Sequence, residues 1–573
     1  MRYFPALEWI KGYRREWIGG DLSAGLTVGV MLIPQGMAYA LLAGMPAVYG
    51  LYASTLPLVI YALMGTSRQL AVGPVAMVSL LTAAGIGTLA EAGTATYITL
   101  ALGLAFMVGA IQFLLGALKL GFLVTFLSHP VISGFTSAAA IIIGLSQLKH
   151  LLGVNIPNSH HVHEIVMAAI REAPNLNWPT FLIGLGAMGA IIGLRKLHPA
   201  IPGPLVAVVL GIALAAGWNL TDIGVKIVGE VPKGLPHWQW AVPSMVQLAG
   251  LLPAALAISL VSFMESIAVA KAMQSRHQNY KLDANQELFA LGVANLAGSF
   301  FQSFPVTGGF SRTAVNDQAG ARTGLASLIS ALLILLTLLF FTPLFYFLPN
   351  AVLAAIIMVA VAKLIDWREA VHLWHVHRPD FWMLIATFIC TLTLGIEQGI
   401  GVGVLLSLAG VVYGAARPHI AVLGKLPDAP YYLNIGRHES LEIRPDILVL
   451  RFDAPLFFAN TDFFRDNIEQ LAADKGPALR AIVIQCDTIS QIDSTAMAML
   501  ERTVSDFGKR GIRFLLAAVI GPVRDRLAGS GLTDKIGREH FFLSVQQAID
   551  HLDGRHRYLT TDQVQEYTLQ ADE

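Results

Sequence analysis

Around residue 308 the chain reads GGFSRTAVND, with the apolar run NQELFALGVANLAGSFFQSF shortly before it and LASLISALLILLTLLFF after it. Arg312 carries a full charge into that setting, where a charge must face a partner, water or a ligand. Three roles are open to it: an anion pocket, a pair with a protein carboxylate, or snorkelling to an interface. Glu265, in ISLVSFMESIAVAKAM, is a carboxylate well inside another apolar run. It can pair with Arg312, carry a proton with a substrate, or stay neutral and bond to a neighbouring helix. In LTVGVMLIPQGMAYALLAG, Gln35 and Tyr39 are four residues apart and so share a helix face. An amide and a phenol there suit donation to anion oxygens, or hydrogen bonds between helices with no ligand at all.

Two apolar segments break at Pro-Val before a small, hydroxyl-rich helix start: AVGPVAMVSLL and SFPVTGGFSRTAV. Helix N-termini at such breaks expose unpaired N–H groups and a partial positive charge. Paired Gly/Pro-interrupted segments in corresponding halves of a transporter point to its binding site. Arg312, one residue after Ser311 at the start of the second half-helix, would add its charge to such a pocket.

The elements that must position these residues follow from composition. The 573 residues are 55% hydrophobic and 13% charged, with mean hydropathy +0.61; a soluble chain carries roughly a quarter charged residues. Apolar runs recur to about residue 416 and divide into about fourteen segments, some short for a span. The approximate bounds are 22–42, 47–64, 72–89, 97–118, 122–148, 181–194, 204–217, 252–272, 288–301, 310–318, 324–348, 351–364, 381–394 and 399–415. The two Pro-Val breaks fall in the third and tenth. With Lys11, Arg14 and Arg15 inside, every second loop is basic, through Arg68, Lys119, Arg195, Lys271, Arg322, Lys363 and Arg417. That alternation predicts an even number of spans with both termini cytoplasmic. The N-terminus lacks the pattern of a cleavable signal.

After Arg417 the composition changes. ILVLRF, AIVIQC and FLLAAV read as strands, TDFFRDNIEQLAADKG and STAMAMLERTVSDFGKRG as amphipathic helices. The expected organisation is a cytoplasmic segment 1–20, a transmembrane domain 21–417, a linker 418–440, a small cytoplasmic α/β domain 441–555 and a tail 556–573. The net charge of +0 gives no nucleic-acid footprint. Cys390 and Cys486 make no disulfide framework, and no metal cluster, cofactor loop or nucleophile–base set is present. An enzyme is not expected.

In order along the chain, IPQGMAYALLAGMPAVYGLYAS, GTSRQLAVGPVAMVSLL, GGFSRTAVNDQAGART and the C-terminal ISQIDSTAM resemble the SulP family of anion transporters, over nearly the whole length. The resemblance implies an α-helical polytopic membrane protein of fourteen transmembrane segments. These form two inverted seven-segment repeats, divided into core and gate domains, followed by a STAS domain. It implies a substrate site between the third and tenth segments, lined by Gln35, Tyr39, the backbone near Val75 and Ala76, Ser311 and Arg312. Transport in this family looks like an elevator in a homodimer. Bicarbonate-transporting relatives use sodium, with an acid and a hydroxyl one turn apart. Here the acid is Glu265 and the turn on is Val269, so the resemblance favours proton coupling through Glu265. The implied function is proton-coupled sulfate uptake in a plasma membrane such as a bacterial inner membrane. A C4-dicarboxylate, bicarbonate or a slow, prestin-like anion binder are the alternatives. In the STAS segment Asp493, Ser494 and Thr495 match a phosphorylated motif of anti-sigma-factor antagonists, with a cytoplasmic regulator as the partner. A plain helix cap by Asp493 or Ser494 is the other reading.

Overall fold

The computed structural model describes residues 4–122, 128–156, 162–197, 203–239, 243–277 and 280–555; the expected tail 556–573 lies outside them. The chain divides into two compact units, residues 1–408 and 409–573.

The first unit is helical. A short α1 (Ala6–Lys11) leads to α2 (Ile18–Leu42), α3 (Val48–Tyr52) and α4 (Leu56–Met64), then β1 (Val72–Gly73) runs into α5 (Ala76–Gly87). There follow α6 (Ala95–Ala117), α7 (His129–Ser146), α8 (Leu148–Leu152), α9 (Val162–Glu172), α10 (Trp178–Leu197) and α11 (Gly203–Gly217). The second half repeats the pattern with α12 (Met245–His277), α13 (Ala284–Ser299), then β2 (Thr307–Gly308) running into α14 (Phe310–Gln318). Next come α15 (Leu325–Leu336), α16 (Asn350–Val361), α17 (Trp367–Val376), α18 (Arg378–Leu394) and α19 (Ile396–Ala416). Each of the fourteen expected segments overlaps a helix or a strand–helix unit. Among the described residues, seven helices are long and apolar enough to cross a membrane, and the rest are shorter or broken. The sequence reading missed α9 and α17. Both mix charge with apolar residues, so neither registers as an apolar run.

Packing falls into two groups. In one, α6 lies along α13, α12 on α6, and α15 on α2 and α4; in the other, α7 packs on α18, and α10 on α11 and α16. The α6–α13 contact depends on glycine: a Cβ at Gly292 would stand 2.3 Å from the Phe113 amide nitrogen. Close backbone approach of this kind replaces the hydrophobic effect as the source of helix affinity inside a bilayer.

Buried acids at helix starts hold the broken segments. Glu287 is wholly buried and takes hydrogen bonds from Tyr61 Oη (2.5 Å), Thr66 N (2.6 Å), Thr66 Oγ1 (2.7 Å) and Ser67 N (3.0 Å). It thereby fixes the turn that enters β1. Asp21, also wholly buried, accepts from Tyr13 Oη (3.0 Å), Arg322 N (2.7 Å), Thr323 N (3.0 Å) and Thr323 Oγ1 (2.6 Å). It fixes the turn that leaves α14. A third acid, Asp317 at the end of α14, is held by Arg276 (2.6 Å) and His277. Glu287→Ala strands four donors, those of Tyr61 and Ser67 buried and the two of Thr66 half-buried, and each unsatisfied buried donor costs on the order of 1–3 kcal/mol. The expected result is a melting midpoint in detergent at least several degrees lower, with loss of monodisperse protein. An unchanged midpoint would show that the turn needs no acid.

In the second unit six strands form one sheet: β3 (Ile420–Lys425), β4 (Tyr432–Asn434), β5 (Ile447–Phe452), β6 (Ala481–Gln485), β7 (Arg513–Ala517) and β8 (Phe541–Phe542). The order is β4-β3-β5-β6-β7-β8, parallel from β5 to β8, with β3 antiparallel to both of its neighbours. Residues 418–440, expected as a linker, therefore contribute two strands. Their weak apolar alternation hid strands that are held by pairing, β3 with β5 and β4 with β3. The helices are α20 (Thr461–Lys475), α21 (Ser494–Lys509), α22 (Gly521–Gly529), α23 (Leu532–Ile536) and α24 (Val545–Leu552). Both sheet faces are covered: Leu448, Ile482 and Phe514 on one side, Val449, Val483 and Leu515 on the other. That is why these strands read as continuous apolar runs. Cys390 and Cys486 are free thiols, and burial pushes the Cys486 thiol up, away from reactivity.

An ion network closes this domain. Arg444 binds Asp446 and Asp553 (2.9 Å each), and Arg480 binds the same two acids (2.6 and 2.9 Å). Hydrogen bonds from Arg444 hold both carboxyls below their usual range. A depressed folded pKa gives stability that is present above the unfolded value, about 3.9, and is lost as pH falls through the folded one. The Arg444 side chain is 38% exposed, so screening limits Arg444→Ala to a cost of about 1 kcal/mol at pH 7. Urea unfolding of the C-terminal unit should show that difference at pH 7 and a smaller one at pH 3. An equal difference at both would mean the acids act by packing alone.

Candidate functional site

The site is built where β1 crosses β2. The strands pair antiparallel, Val72 with Gly308 and Gly73 with Thr307, and Gly309 N extends the ladder to Ala71 O (3.1 Å). Because each strand runs directly into its helix, α5 and α14 leave the crossing in opposite directions. Their N-termini, and the positive ends of their dipoles, stay beside it. Val75 and Gly309 occupy the N-cap positions in extended conformation, and neither helix is capped by a side chain. The first helical bonds are Ser79 N to Val75 O and Thr313 N to Gly309 O, both 3.0 Å. The first-turn amides, beginning at Ala76 and Phe310, are left as donors by helix geometry. Two side chains fasten α14 to the strand entering the crossing: Thr313 Oγ1 accepts from Ala71 N (3.0 Å) and Asn316 Nδ2 donates to Gln69 O (2.8 Å).

Arg312 is 2% exposed. Its guanidinium reaches back across the crossing, where Nη1 donates to the Pro74 carbonyl. Nε and Nη2 are buried and meet no protein acceptor among the described residues. Glycine at 309 makes room, since a Cβ there would lie 3.1 Å from Nη2. Among the described residues Arg312 makes no pair with a protein carboxylate, one of the roles left open by sequence. Glu265 is partly buried on α12 and, among the described residues, makes neither an ion pair within 4.0 Å nor a hydrogen bond. Glu265, Tyr39 and Arg312 nevertheless lie within electrostatic reach of one another.

Gln35 and Tyr39 are both buried on α2, beside Pro34 in the helix interior. Among the described residues neither side chain hydrogen-bonds to the protein, so the interhelical bonds that their spacing allowed are not made. Val75 and Ala76 are buried at the start of α5, whereas Ser311 is exposed on the first turn of α14. The crossing thus collects a buried cation with two uncommitted donors, two uncapped helix starts and a nearby acid. Such a set can bind and orient a small anion. It has no ligand set for a metal, and none of three or more residues occurs among the described residues.

In the second unit Asp493 is a helix cap: Oδ1 accepts from Ala496 N (2.8 Å) and Oδ2 from Phe458 N (2.8 Å). Ser494 and Thr495 are exposed on the first turn of α21.

Sequence reasoning missed Asp21 and Glu287, each one residue ahead of an expected apolar segment (22–42 and 288–301). It also missed Gln112, Ser262, Ser266, Asn295 and Thr307, which surround β2. The clearest signal was Ser262 and Ser266, two hydroxyls one turn apart inside an apolar run.

The fold is that of a helical membrane transporter followed by a STAS domain. The sulfate permease family profile matches residues 18–387 and the STAS domain profile matches residues 439–548. The chain belongs to the sulfate permease family. It is 40% identical over 564 residues to "Sulfate transporter 4.1, chloroplastic" of Arabidopsis thaliana, covering 95% of this chain and 82% of the relative. It is 34% identical over 545 residues to a probable sulfate transporter of Mycobacterium tuberculosis (strain CDC 1551 / Oshkosh), covering 95% and 97%. Among solved structures it resembles SLC26A9, with TM-score 0.89, 27% identity and coverage of 98% of this chain and 94% of that one. It also resembles the transmembrane domain of the cyanobacterial bicarbonate transporter BicA, with TM-score 0.60, 27% identity and coverage of 69% and 98%.

Proposed function

We propose that this protein is a secondary active oxyanion transporter that takes up sulfate together with a proton, moving its site by an elevator mechanism. The observation that carries the reading is the Arg312 guanidinium, buried between two uncapped helix starts with Nε and Nη2 unpartnered among the described residues. A fully ionised tetrahedral anion satisfies both donors and uses the helix dipoles. Gln35 and Tyr39 add neutral donors from α2, and Ser311 and the backbone of Val75 and Ala76 complete the site. The named sulfate transporters among the relatives support sulfate as the anion.

Glu265 is the proton carrier in this scheme. It faces the same crossing, and a proton on it offsets part of the anion's charge during passage. A sodium ion at Glu265 lacks its oxygen ligand one turn on, because Val269 is apolar and buried. The two packing groups of helices support a moving core past a fixed gate; a homodimer is the assembly this reading expects. Basic loops through Arg68 and Arg322 support a plasma-membrane orientation with the N-terminus and STAS domain cytoplasmic. Exposed Ser494 and Thr495 are the surface for a regulator. The test is uptake of radiolabelled sulfate into sodium-free proteoliposomes with the outside acidified. Accumulation abolished by a protonophore is the expected result. Fumarate or bicarbonate accumulating in place of sulfate would overturn the substrate, and no pH effect would overturn the coupling.

A further inference from the structure

Five buried polar side chains form a closed hydrogen-bonded circuit around β2. Gln112, Ser262, Ser266 and Thr307 are wholly buried and Asn295 is 1% exposed. Asn295 pairs with the backbone of Val306 as a neighbouring strand would, accepting from its N–H (2.8 Å) and donating to its carbonyl (3.1 Å). Asn295 Nδ2 also donates to Gln112 Oε1 (3.1 Å), and Gln112 Nε2 donates to Ser262 Oγ (2.7 Å). Thr307 Oγ1 donates to the Ser262 carbonyl (2.6 Å). Having used its one proton there, it must accept from Ser266 Oγ at 2.7 Å. Ser266 Oγ in turn accepts from Gly308 N (2.8 Å). Ser266 and Thr307 each give one bond and take one, so the directions are fixed by counting.

The circuit joins two elements that matter for coupling. Gly308 ends the strand whose helix carries Arg312, and Ser266 follows Glu265 on α12. Buried polar groups are costly unless fully satisfied, and a fully satisfied set is stiff. We propose that Ser266 and Thr307 are positioning residues that hold Glu265 in register with Arg312, so that proton and anion sites travel as one body. The inference rests on the transport reading. The charged or titratable groups facing Glu265 are Arg312 from α14 and Tyr39 from α2. The sequences of α5 and α6, which pack on α12, contain no charged residue. On α13, Glu287 is bonded to Tyr61, Thr66 and Ser67; on α14, Asp317 is taken by Arg276 and His277.

The test uses full-length protein. Sulfate-dependent thermal stabilisation and the pH profile of uptake are measured first on the wild type, then on Ser266→Ala, Thr307→Val, Ser266→Thr and Ser259→Ala. Ser259 lies on α12 and bonds chiefly to its own helix, through Ala255 O (2.6 Å). Ser266→Ala and Thr307→Val are expected to keep a KM within about threefold, lose about tenfold in kcat and shift the pH optimum, since small misplacements of reacting groups cost that much or more. Ser266→Thr restores the profile and Ser259→Ala leaves it unchanged. The proposal is overturned if either folded variant keeps the wild-type kcat and pH profile, or if Ser259→Ala reproduces the loss. It is equally overturned if neither variant folds, since the circuit then serves the fold. Failure of the wild type to bind any oxyanion sinks the transport reading before a variant is compared, and this inference falls with it.

Discussion

Arg312→Ala is expected to weaken sulfate binding about a hundred-fold. The two uncommitted donors, Nε and Nη2, would each form a charge-assisted hydrogen bond to the anion, worth roughly 1.5 kcal/mol apiece, and about 1.4 kcal/mol is a factor of ten. Arg312→Lys keeps the charge but loses the planar fork, so about a tenfold loss is expected there. The fold should survive. In the protein without ligand, Arg312 gives one bond to Pro74 and strands two buried donors, a cost that alanine removes while leaving a cavity in exchange. Isothermal binding and thermal unfolding with and without sulfate, on the same purified samples, separate the effects. A stable Arg312→Ala protein that binds sulfate normally would reject the site. A variant that cannot fold would assign Arg312 to structure.

Glu265→Gln is the second large effect, and it falls on driving force more than on binding. A one-unit pH gradient supplies about 1.4 kcal/mol per proton, so one proton per anion sustains about tenfold accumulation when the membrane potential is clamped at zero. Glutamine keeps the shape of the side chain but carries no titrating proton. The variant should equilibrate sulfate across the membrane without concentrating it, at a rate indifferent to external pH between about 5 and 8. Tenfold accumulation retained by Glu265→Gln would place the coupling proton elsewhere. A variant that binds no sulfate would show instead that Glu265 shapes the anion site.

Glu265 and Arg312 also show what a sequence makes visible. A charge inside an apolar run is conspicuous because nothing in hydrocarbon pays for its burial locally. Asp21 and Glu287 are more deeply buried than either yet lie one residue outside the apolar runs, where an acid looks like a solvated loop residue. Only the chain folded back, with residues 322–323 laid on Asp21 and 66–67 on Glu287, turns them into anchors. The strands β3 and β4 were hidden for another reason: they are short and only partly apolar, and it is their pairing, β3 with β4 and with β5, that makes them strands.

The sequence by itself determined that this is a polytopic membrane protein with a C-terminal α/β domain. It also marked two Pro-Val breaks in matching halves as the expected site, because hydropathy, loop charge and breaker residues act locally and leave a linear record. Tertiary structure decided what Arg312 meets. Antiparallel pairing of Val72–Gly73 with Thr307–Gly308 brings residues more than two hundred positions apart into register. It points two helix starts at one crossing and leaves Nε and Nη2 without an acceptor among the described residues. No linear pattern encodes that, since an unsatisfied donor is defined by everything packed around it.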